Sequence, residues 1–452
     1  MTEATIQTGL TTEAFEEFLG SRAEPPWLAE LRRQAWQVFE ELPLPDAKLE
    51  EWRRTDLRLF RLDRFGLPHG LAPGDGIPAP LLAERVELGG RTVALDSHPV
   101  ESRLDPALAS RGVLFGSLDA LVAEHDELLQ RFLLLRVVDP HQDKFAALHA
   151  AAWSGGTLLY VPRGVAIARP LHVFSALTPG AADFGHCLIV LEEGAEATVL
   201  AETASSDPAA AGLHCGAIEI LVGPHARLRY VNLQNWGTGV WHFAHQRAMV
   251  ERGGQLQWTI GALGSRLAQV NQHVALIGRR ADVQVNGVMF TEGKQQLTYN
   301  TLQHHQVPEC TSDLLYKGAL QDKSRLVWRG MIRVERDAQK TDGYQRNDNL
   351  ILSESARADS IPGLEILADD VKCSQVYEVQ VTEAEGKSDV HVKMTMTSPA
   401  CPIGPQLIQE VKDALETMLG EQLGRVEVEV VMSPPWTPDR MTDEARDELG
   451  MY

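Results

Sequence analysis

The sequence has few cysteines and no paired cysteine motif. Its 452 residues contain five of them, widely spaced and with no Cys-x-x-Cys pair: Cys187, Cys215, Cys310, Cys373 and Cys401. An odd, scattered set argues against a disulfide framework and against a local zinc knuckle. Reduced thiols of this kind are typical of a cytoplasmic protein.

Long apolar runs are also missing. No stretch reaches the about 18 consecutive apolar residues that a membrane-spanning helix requires. Residues 1–20 carry four glutamates and lack the basic and apolar regions of a secretory signal. We therefore predict a cytoplasmic protein with no membrane partner.

Positive charge is in deficit. The chain has 42 Lys and Arg against 62 Asp and Glu, which gives a formal net charge of −20. Nucleic acids and anionic membranes are bound through clustered Lys and Arg that neutralise phosphate charge. The composition therefore predicts no nucleic-acid partner.

Several catalytic signatures are absent as well. The sequence contains no Gly-x-x-x-x-Gly-Lys-Ser/Thr phosphate loop, no Gly-x-Ser-x-Gly elbow and no His-Glu-x-x-His zinc helix. We therefore expect that this chain binds no nucleotide and is not an enzyme.

The first 150 residues predict a helical and mixed region. Pro26 is placed to begin a helix, and Leu28, Leu31 and Ala35 follow it at helical spacing. A second helical pattern opens at Ser117. These apolar stripes are typical of a core.

Residues 151–374 predict an all-β region. Short β-rich runs recur between Gly and Pro residues, at 157–161, 171–177, 187–191, 197–201, 217–222, 228–233, 256–260, 283–290 and 326–334. The pattern suits a sandwich, a barrel or a solenoid, and its spacing is too irregular to identify a repeat.

Residues 375–452 predict a small α/β domain. Val390, Val392 and Met394 alternate as in a strand, a helical stripe follows Pro405 and ends near Gly420, and a second alternating run covers 426–430.

Several phrases upstream of residue 374 resemble the SufB/SufD family of iron-sulfur cluster assembly scaffolds, and SufD more closely. They are Glu50-Glu-Trp-Arg-Arg-Thr-Asp56, Asp143-Lys-Phe-Ala-Ala-Leu-His149, Trp153-Ser-Gly-Gly-Thr157, Asp337-Ala-Gln-Lys-Thr-Asp342 and Ala356-Arg-Ala-Asp-Ser-Ile-Pro-Gly-Leu-Glu-Ile366. The resemblance, over residues 1–374, implies that the β region is a right-handed parallel β-helix.

A second resemblance follows the first directly, with no linker between the two. Met394-Thr-Met-Thr-Ser-Pro-Ala-Cys-Pro-Ile-Gly-Pro405 and Pro434-Pro-Trp-Thr-Pro-Asp439 are similar to the SufT/PaaD-type domain of iron-sulfur protein maturation, over residues 376–452. The sequence therefore predicts a mainly β fusion: an N-terminal helical region, a parallel β-helix core and a small C-terminal α/β domain.

The two resemblances imply a non-catalytic scaffold subunit of the SUF machinery for iron-sulfur cluster assembly. The partners they imply are a SufB-type subunit, a SufC-type ATPase and recipient iron-sulfur proteins. A transient cluster or iron is the implied cargo. The helical domain that holds SufC in the family is replaced here by the C-terminal domain, so we expect SufC-type binding to be weakened or lost.

Cys401 is the strongest candidate ligand. It precedes a predicted helix start, where unsatisfied amides and the helix dipole lower the pKa of a thiol. Thiolates also suit iron in iron-sulfur chemistry. The alternative is a buried cysteine that serves as a small hydrophobe, but the position matches the characteristic cysteine of the SufT/PaaD-type domain.

Cys373 is the second candidate. It matches a cysteine of the SufD-type signature, but Gln375 stands where the family has a histidine at the SufB/SufD interface. An amide has no imidazole lone pair to offer iron. A structural role for Cys373 is therefore as plausible as iron ligation.

Four pairs invite a metal interpretation: His186 with Cys187, His214 with Cys215, His242 with His245, and His304 with His305. Adjacent strand residues point to opposite faces, so three of these pairs are poorly placed to share an ion. Turn or surface histidines are the preferred prediction.

Two rival functions stay open. One is a β-helix carbohydrate-active lyase or hydrolase, which the missing secretory signal disfavours. The other is a SufT-like adaptor on an inert β-helix.

Overall fold

The computed structural model describes residues 9–68, 76–133, 138–384, 387–396 and 404–430. Its helices within these ranges are α1 (Thr12–Gly20), α2 (Pro26–Glu41), α3 (Pro106–Ala109), α4 (Leu118–Glu124), α5 (Asp126–Gln130), α6 (Lys144–Ala152) and α7 (Gly404–Leu419). The predicted helix starts at Pro26 and beside Ser117 are confirmed.

The first strands, β1 to β7, close one end of the β region and begin its coils. They are β1 (Gly90–Leu95), β2 (His98–Leu104), β3 (Leu114–Ser117), β4 (Thr157–Val161), β5 (Leu171–Leu177), β6 (Ala182–Asp183) and β7 (His186–Leu191). The antiparallel pairs β1–β2 and β3–β4 close the N-terminal end of both sheets.

The central strands stack in parallel. They are β8 (Glu196–Ser205), β9 (Ala211–Val222), β10 (Arg227–Asn235), β11 (Gly239–Val250), β12 (Gln255–Ala262), β13 (Leu267–Leu276), β14 (Asp282–Thr291), β15 (Gln296–His305), β16 (Thr311–Leu320), β17 (Arg325–Val334), β18 (Thr341–Ile351) and β19 (Arg357–Ile366). Even-numbered strands pair with one another, and so do odd-numbered strands. Two facing parallel sheets wound by one chain make a β-solenoid, as predicted.

The last strands are β20 (Val371–Ala384), β21 (Lys387–Met396) and β22 (Leu423–Val430). Sheet A runs β2-β1-β5-β8-β10-β12-β14-β16-β18-β20-β21-β22, and sheet B runs β19-β17-β15-β13-β11-β9-β7-β4-β3, with β6 beside β9. Helix α7 packs Val411 and Leu415 on Val390 and Val392 of β21.

The coils hold 27 to 31 residues each, as the register from Glu196 to Asp342 shows. In seven successive coils, one turn contains a residue with positive φ; these residues are Gly164, Gly194, His225, Gly253, Arg280, Glu309 and Lys340. Amides of successive turns donate to the next coil, for example His225 N to Arg252 O at 2.9 Å and Gly253 N to Arg279 O at 3.0 Å. We call this row the turn ladder.

The join differs from the sequence prediction. The sequence alone predicts that a strand at 364–372 ends the β-helix and that a new strand at 376–381 begins the small domain. Instead, Leu364 belongs to β19 and β20 crosses the join without interruption. Its residues 371–376 pair with β18, and residues 374–384 pair with β21. The C-terminal strands therefore extend sheet A.

Candidate functional site

The structure tests the two candidate cysteines only in part. Cys401 lies outside the described residues, so its role as a ligand stays a prediction. Cys373 lies on β20 in register with Gly343 of β18, and Gln375 lies in register with Gln345. The backbone therefore puts the SufD-type signature on the strand that joins the two parts of sheet A.

The three other cysteines are unsuited to thiolate chemistry. Burial raises the pKa of Cys187 to about 12. Burial, reinforced by Asp143 and Asp183, raises the pKa of Cys215 well above its usual value, and Cys215 Sγ donates to Phe145 O at 3.2 Å. Burial also raises the pKa of Cys310. These thiols stay protonated at neutral pH and pack as small hydrophobes.

The prediction of turn or surface histidines is wrong for most of the pairs. His186, His242, His245 and His305 are at most 4% exposed, and His214 is 9% exposed. All lie on strands of sheet B, whose inner face lines the lumen and whose outer face carries α6 and the Glu50 segment. Alternation does separate neighbours as expected: Cys215 packs with the N-terminal helices, whereas His214 lines the lumen between the sheets.

On the outer side of sheet B, His149, His186 and Glu219 form a buried relay. His149 Nδ1 lies 3.0 Å from Cys215 O, and His149 Nε2 lies 3.0 Å from His186 Nδ1. His186 Nε2 lies 3.4 Å from Glu219 Oε2. The carbonyl accepts only, so His149 carries its proton on Nδ1 and His186 donates through its own Nδ1. The other nitrogen, His186 Nε2, faces the Glu219 carboxylate, whose Oε1 accepts from Val138 N at 3.1 Å.

The relay is anchored by the Asp143 phrase. Asp143 Oδ1 accepts from Phe145 N and Ala146 N at 2.9 Å and so caps α6, while its Oδ2 lies 3.1 Å from His245 Nε2. Burial opposes ionisation, but His245 and the cap hydrogen bonds lower the pKa of Asp143. This phrase therefore fixes α6 on sheet B.

The Glu50 phrase has a similar docking role. Gln269 and Gln296 donate to the carbonyls of Glu51 and Arg54 at 2.9 and 2.6 Å, and Thr55 Oγ1 donates to Gln269 at 2.5 Å. The segment is thereby held on the outer face of sheet B by polar side chains of β13 and β15.

The last strand of sheet B presents an open edge. Within the described residues, β19 pairs only with β17. Arg357 N donates to Ser324 O and Leu367 N to Val334 O, so odd-numbered residues direct their amides to β17. The backbone amides of the even-numbered residues therefore point away from β17, toward the open edge. Pro362 is one of these residues, and its missing N–H leaves a gap in the middle of the edge.

Sequence reasoning missed this edge, the relay and the lumen polar groups. Pro362 inside a β-rich phrase was a usable signal, since proline in a strand favours an edge position. Within the described ranges, no group of three or more His, Cys, Asp or Glu is arranged to hold a metal ion. No helix in those ranges has the length and apolarity needed to span a membrane.

Three family profiles match the chain. Residues 93–173 match the SufBD protein N-terminal region, and residues 174–386 match the SUF system FeS cluster assembly SufBD core domain. Residues 365–430 match an iron-sulfur cluster assembly protein domain. The second and third matches overlap on β20.

Curated relatives match most of the chain. Iron-sulfur cluster assembly SufBD family proteins of Staphylococcus haemolyticus and Staphylococcus epidermidis are 26% identical over 394 and 402 residues. One from Staphylococcus aureus is 25% identical over 404 residues. Each alignment covers 83% of this chain and 84% of the relative.

A solved structure of a domain of unknown function, DUF59, from Bacillus anthracis is 38% identical over 17% of this chain and 69% of its own, with a TM-score of 0.12. The adjoining SufBD matches cover residues 93–386, more than half of the chain, and the β-solenoid occupies those same residues. The chain therefore belongs to the SufBD family of iron-sulfur cluster assembly proteins, and it carries a C-terminal domain that matches a further iron-sulfur cluster assembly profile.

Proposed function

We propose that this protein is a non-catalytic scaffold subunit of cytoplasmic iron-sulfur cluster assembly. Its cargo is iron or a transient cluster, which a complex with a SufB-type subunit assembles for recipient iron-sulfur proteins. The observation that carries the proposal is the open edge of β19, within the stretch that matches the SufBD core domain.

The edge is chemically suited to a protein partner. Within the described residues, the outward amides of Ala358, Ser360 and Leu364 have no neighbouring strand, so they can pair with a strand of another chain. Pro362 limits indiscriminate pairing because it interrupts the row. An interrupted edge favours a partner strand that is matched to it.

Docking of a SufC-type ATPase is proposed to be weakened or lost. The residues after Ser374 form β20, β21, α7 and β22, and α7 packs on that sheet. In the sequence, these elements stand where the family resemblance implies the helices that hold SufC.

Cys401 and Cys373 are the proposed contacts for the cargo. In the sequence, Cys401 belongs to the C-terminal domain, and Cys373 belongs to β20, the strand that joins the two parts of sheet A. The other three cysteines are less suitable, because burial raises the pKa values of Cys187, Cys215 and Cys310. Since Gln375 lacks an imidazole, the SufB-type partner is expected to supply further ligands.

The test is anaerobic co-expression with SufB-type and SufC-type proteins, followed by iron and acid-labile sulfide analysis of the purified complex. We expect cluster iron with the SufB-type partner and substoichiometric SufC.

The variant Ala358→Pro removes one outward amide and is expected to weaken SufB-type pairing at least tenfold. The matched variant Ala358→Ser keeps the amide and should pair normally. Equal pairing by both variants would contradict the proposed role of the β19 edge in binding the SufB-type subunit. A full complement of SufC in the complex would contradict the proposed loss of SufC-type docking.

A second candidate is a SufT-like adaptor that uses the C-terminal module alone. The separate profile match at residues 365–430 favours it. If a variant with Cys373→Ser and Ala358→Pro still promoted maturation of a recipient protein, the adaptor function would replace the scaffold function.

A further inference from the structure

The outer face of sheet A carries apolar side chains in its later coils. Alternate residues of each strand point outward, and the parallel register aligns them across β10, β12, β14, β16 and β18. From the middle of these strands to just beyond their ends, the outward apolar residues are Leu233, Leu263, Val288, Phe290, Leu315 and Leu350. Val288 is 59% exposed and Leu350 is 60% exposed. We call these six residues the sheet A apolar surface.

The two sheets differ in what covers their outer faces. Sheet B carries α6 and the Glu50 segment. On sheet A, a loop is held at an early coil, where Glu202 of β8 accepts from Leu81 N at 2.6 Å and from Leu82 N at 2.9 Å. Within the described ranges, no helix packs on the outer face of β10 to β18. An apolar surface that stays open on a folded protein marks an interaction site.

The dimensions of this surface suit one α-helix. Leu233 on β10 and Leu350 on β18 lie four strand spacings apart, which is about 19 Å at about 4.8 Å per spacing. Leu315 and Ala319 mark its width along β16, which is about 13 Å at about 3.3 Å per residue. A helix is about 10–12 Å wide and rises about 1.5 Å per residue, so about thirteen residues would cover the surface.

The backbone of the occupant also has to be satisfied. The strand amides of sheet A are engaged with their neighbouring strands, so they offer no hydrogen bonds to a segment that lies on the face. A helix makes its own backbone hydrogen bonds. The same solution is seen on sheet B, where α6 packs on the outer face.

One side of the surface is negatively charged. The outward residues of β14, β16 and β18 include four aspartates against one lysine and one arginine, and Arg346 is already paired with Asp348 at 2.8 Å. The other three aspartates are Asp282, Asp313 and Asp342. Burial, reinforced by Asp282 and Asp342, raises the pKa of Asp313, so no described cation compensates these three charges.

We propose that the sheet A apolar surface docks an amphipathic helix of a partner protein, with its apolar stripe on Val288, Phe290 and Leu350 and with Lys or Arg along the side that faces Asp313. The carboxylates orient the basic side, and burial of the apolar side chains holds the helix. An anionic membrane does not fit, because it would be repelled by the same carboxylates. The surface lies on the sheet opposite the β19 edge, so the proposal is independent of the scaffold function.

The test measures binding of labelled synthetic peptides to the full-length protein by fluorescence anisotropy. The probe is a helix-forming peptide of about 18 residues with Leu at helical spacing, bordered on one side by Lys. One matched peptide has Glu in place of each Lys, and another keeps the composition but scrambles the Leu positions. We expect saturable binding of the probe, at least tenfold tighter than that of either matched peptide. Equal binding of a matched peptide, or no saturable binding of the probe, would overturn the proposal.

Two variants locate the surface. Val288→Arg places a charge among the apolar residues and should weaken probe binding at least tenfold, whereas Asp313→Lys should shift the preference toward the peptide with Glu. Val100→Arg is the matched control, at a valine that is 44% exposed on β2, and should bind the probe like the wild type. Unchanged binding in Val288→Arg would overturn the proposal. A dimer in sedimentation experiments that Val288→Arg dissociates would also overturn it, because the occupant would then be a second copy of this chain.

Discussion

Burial lowers the pKa values of His149, His242, His273 and His305. His305 shows the effect clearly: it is fully buried, with its Nε2 2.8 Å from Ser312 Oγ. Burial, with a smaller effect of His304, lowers the pKa of His305 to about 4. In an unfolded chain a histidine has a pKa of about 6.5. The unfolded state therefore binds more protons between these values.

We predict that His305 contributes stability above pH 6.5 that is lost as the pH falls toward 4. The contribution is about 2 kcal/mol between pH 7.5 and pH 5. The variant His305→Gln should lose less stability than the wild type over that interval in urea unfolding experiments. His141→Gln, at an exposed position, should track the wild type. Parallel curves for His305→Gln and the wild type would contradict the prediction.

Thiol reactivity is a second test at this scale. Because burial raises the pKa values of Cys187, Cys215 and Cys310, we predict that iodoacetamide at pH 8 modifies each of them more than tenfold more slowly in the native than in the denatured protein. Peptide mass spectrometry measures the rates.

Iron retention is a separate prediction for Cys401. Cys401→Ser should reduce the iron retained by the C-terminal module more than Cys310→Ser does. Equal iron content in the two variants would remove the case for a special thiol at position 401.

At the scale of elements, the turn ladder explains why strands stack although the coil length varies from 27 to 31 residues. In seven successive coils, the chain returns through a turn that needs a positive φ at one position. Glycine meets this need at Gly164, Gly194 and Gly253, whereas an arginine, a glutamate and a lysine meet it at later coils. A residue with a side chain at positive φ costs about 1–2 kcal/mol.

Lys340 tests this cost, since its φ is 60° and it is exposed. We predict that Lys340→Gly stabilises the protein by about 1 kcal/mol and that Lys340→Val destabilises it by about 1–2 kcal/mol. The same pair of changes at Lys323, an exposed turn lysine outside the positive-φ set, is the control. Chemical denaturation gives the free energies. If glycine at position 340 were no better than glycine at 323, the ladder would not be strained.

Sequence patterns predicted the elements whose apolar periodicity is strong. The runs at 157–161 and 171–177 coincide with β4 and β5. Strands such as β11 and β15 were missed because they carry buried His, Gln and Asn, which local patterns assign to the surface. Their burial depends on α6 and the Glu50 segment, which come from distant parts of the sequence. The periodicity of a short segment carries no information about such long-range contacts.

At the scale of the whole molecule, the family profiles confirm both resemblances, but the form of the join depended on strand pairing. Ser374 and Gln375 each pair with β18 on one side and with β21 on the other. The backbone amides at the join are therefore engaged in sheet A. No residue between 371 and 384 is left as a linker.

We predict slow proteolysis at residues 374–380. Under native conditions, trypsin or proteinase K should cut there no faster than within the solenoid strands, because a protease needs an extended segment that is free of the sheet. Mass spectrometry of the early fragments measures this. Rapid release of a stable fragment that begins near Val376 would instead indicate a tethered, independent domain.

The shared strand also decides how the molecule bears mechanical load. β20 runs parallel to β18, and six register pairs join them, from Thr341 with Val371 to Arg346 with Val376. A force that pulls the C-terminal end of β20 against the N-terminal end of β18 acts along both strands. It loads the hydrogen bonds of these pairs together, in shear, instead of opening them one at a time. A force applied to the C-terminal domain is therefore transmitted through β20 to the β-helix.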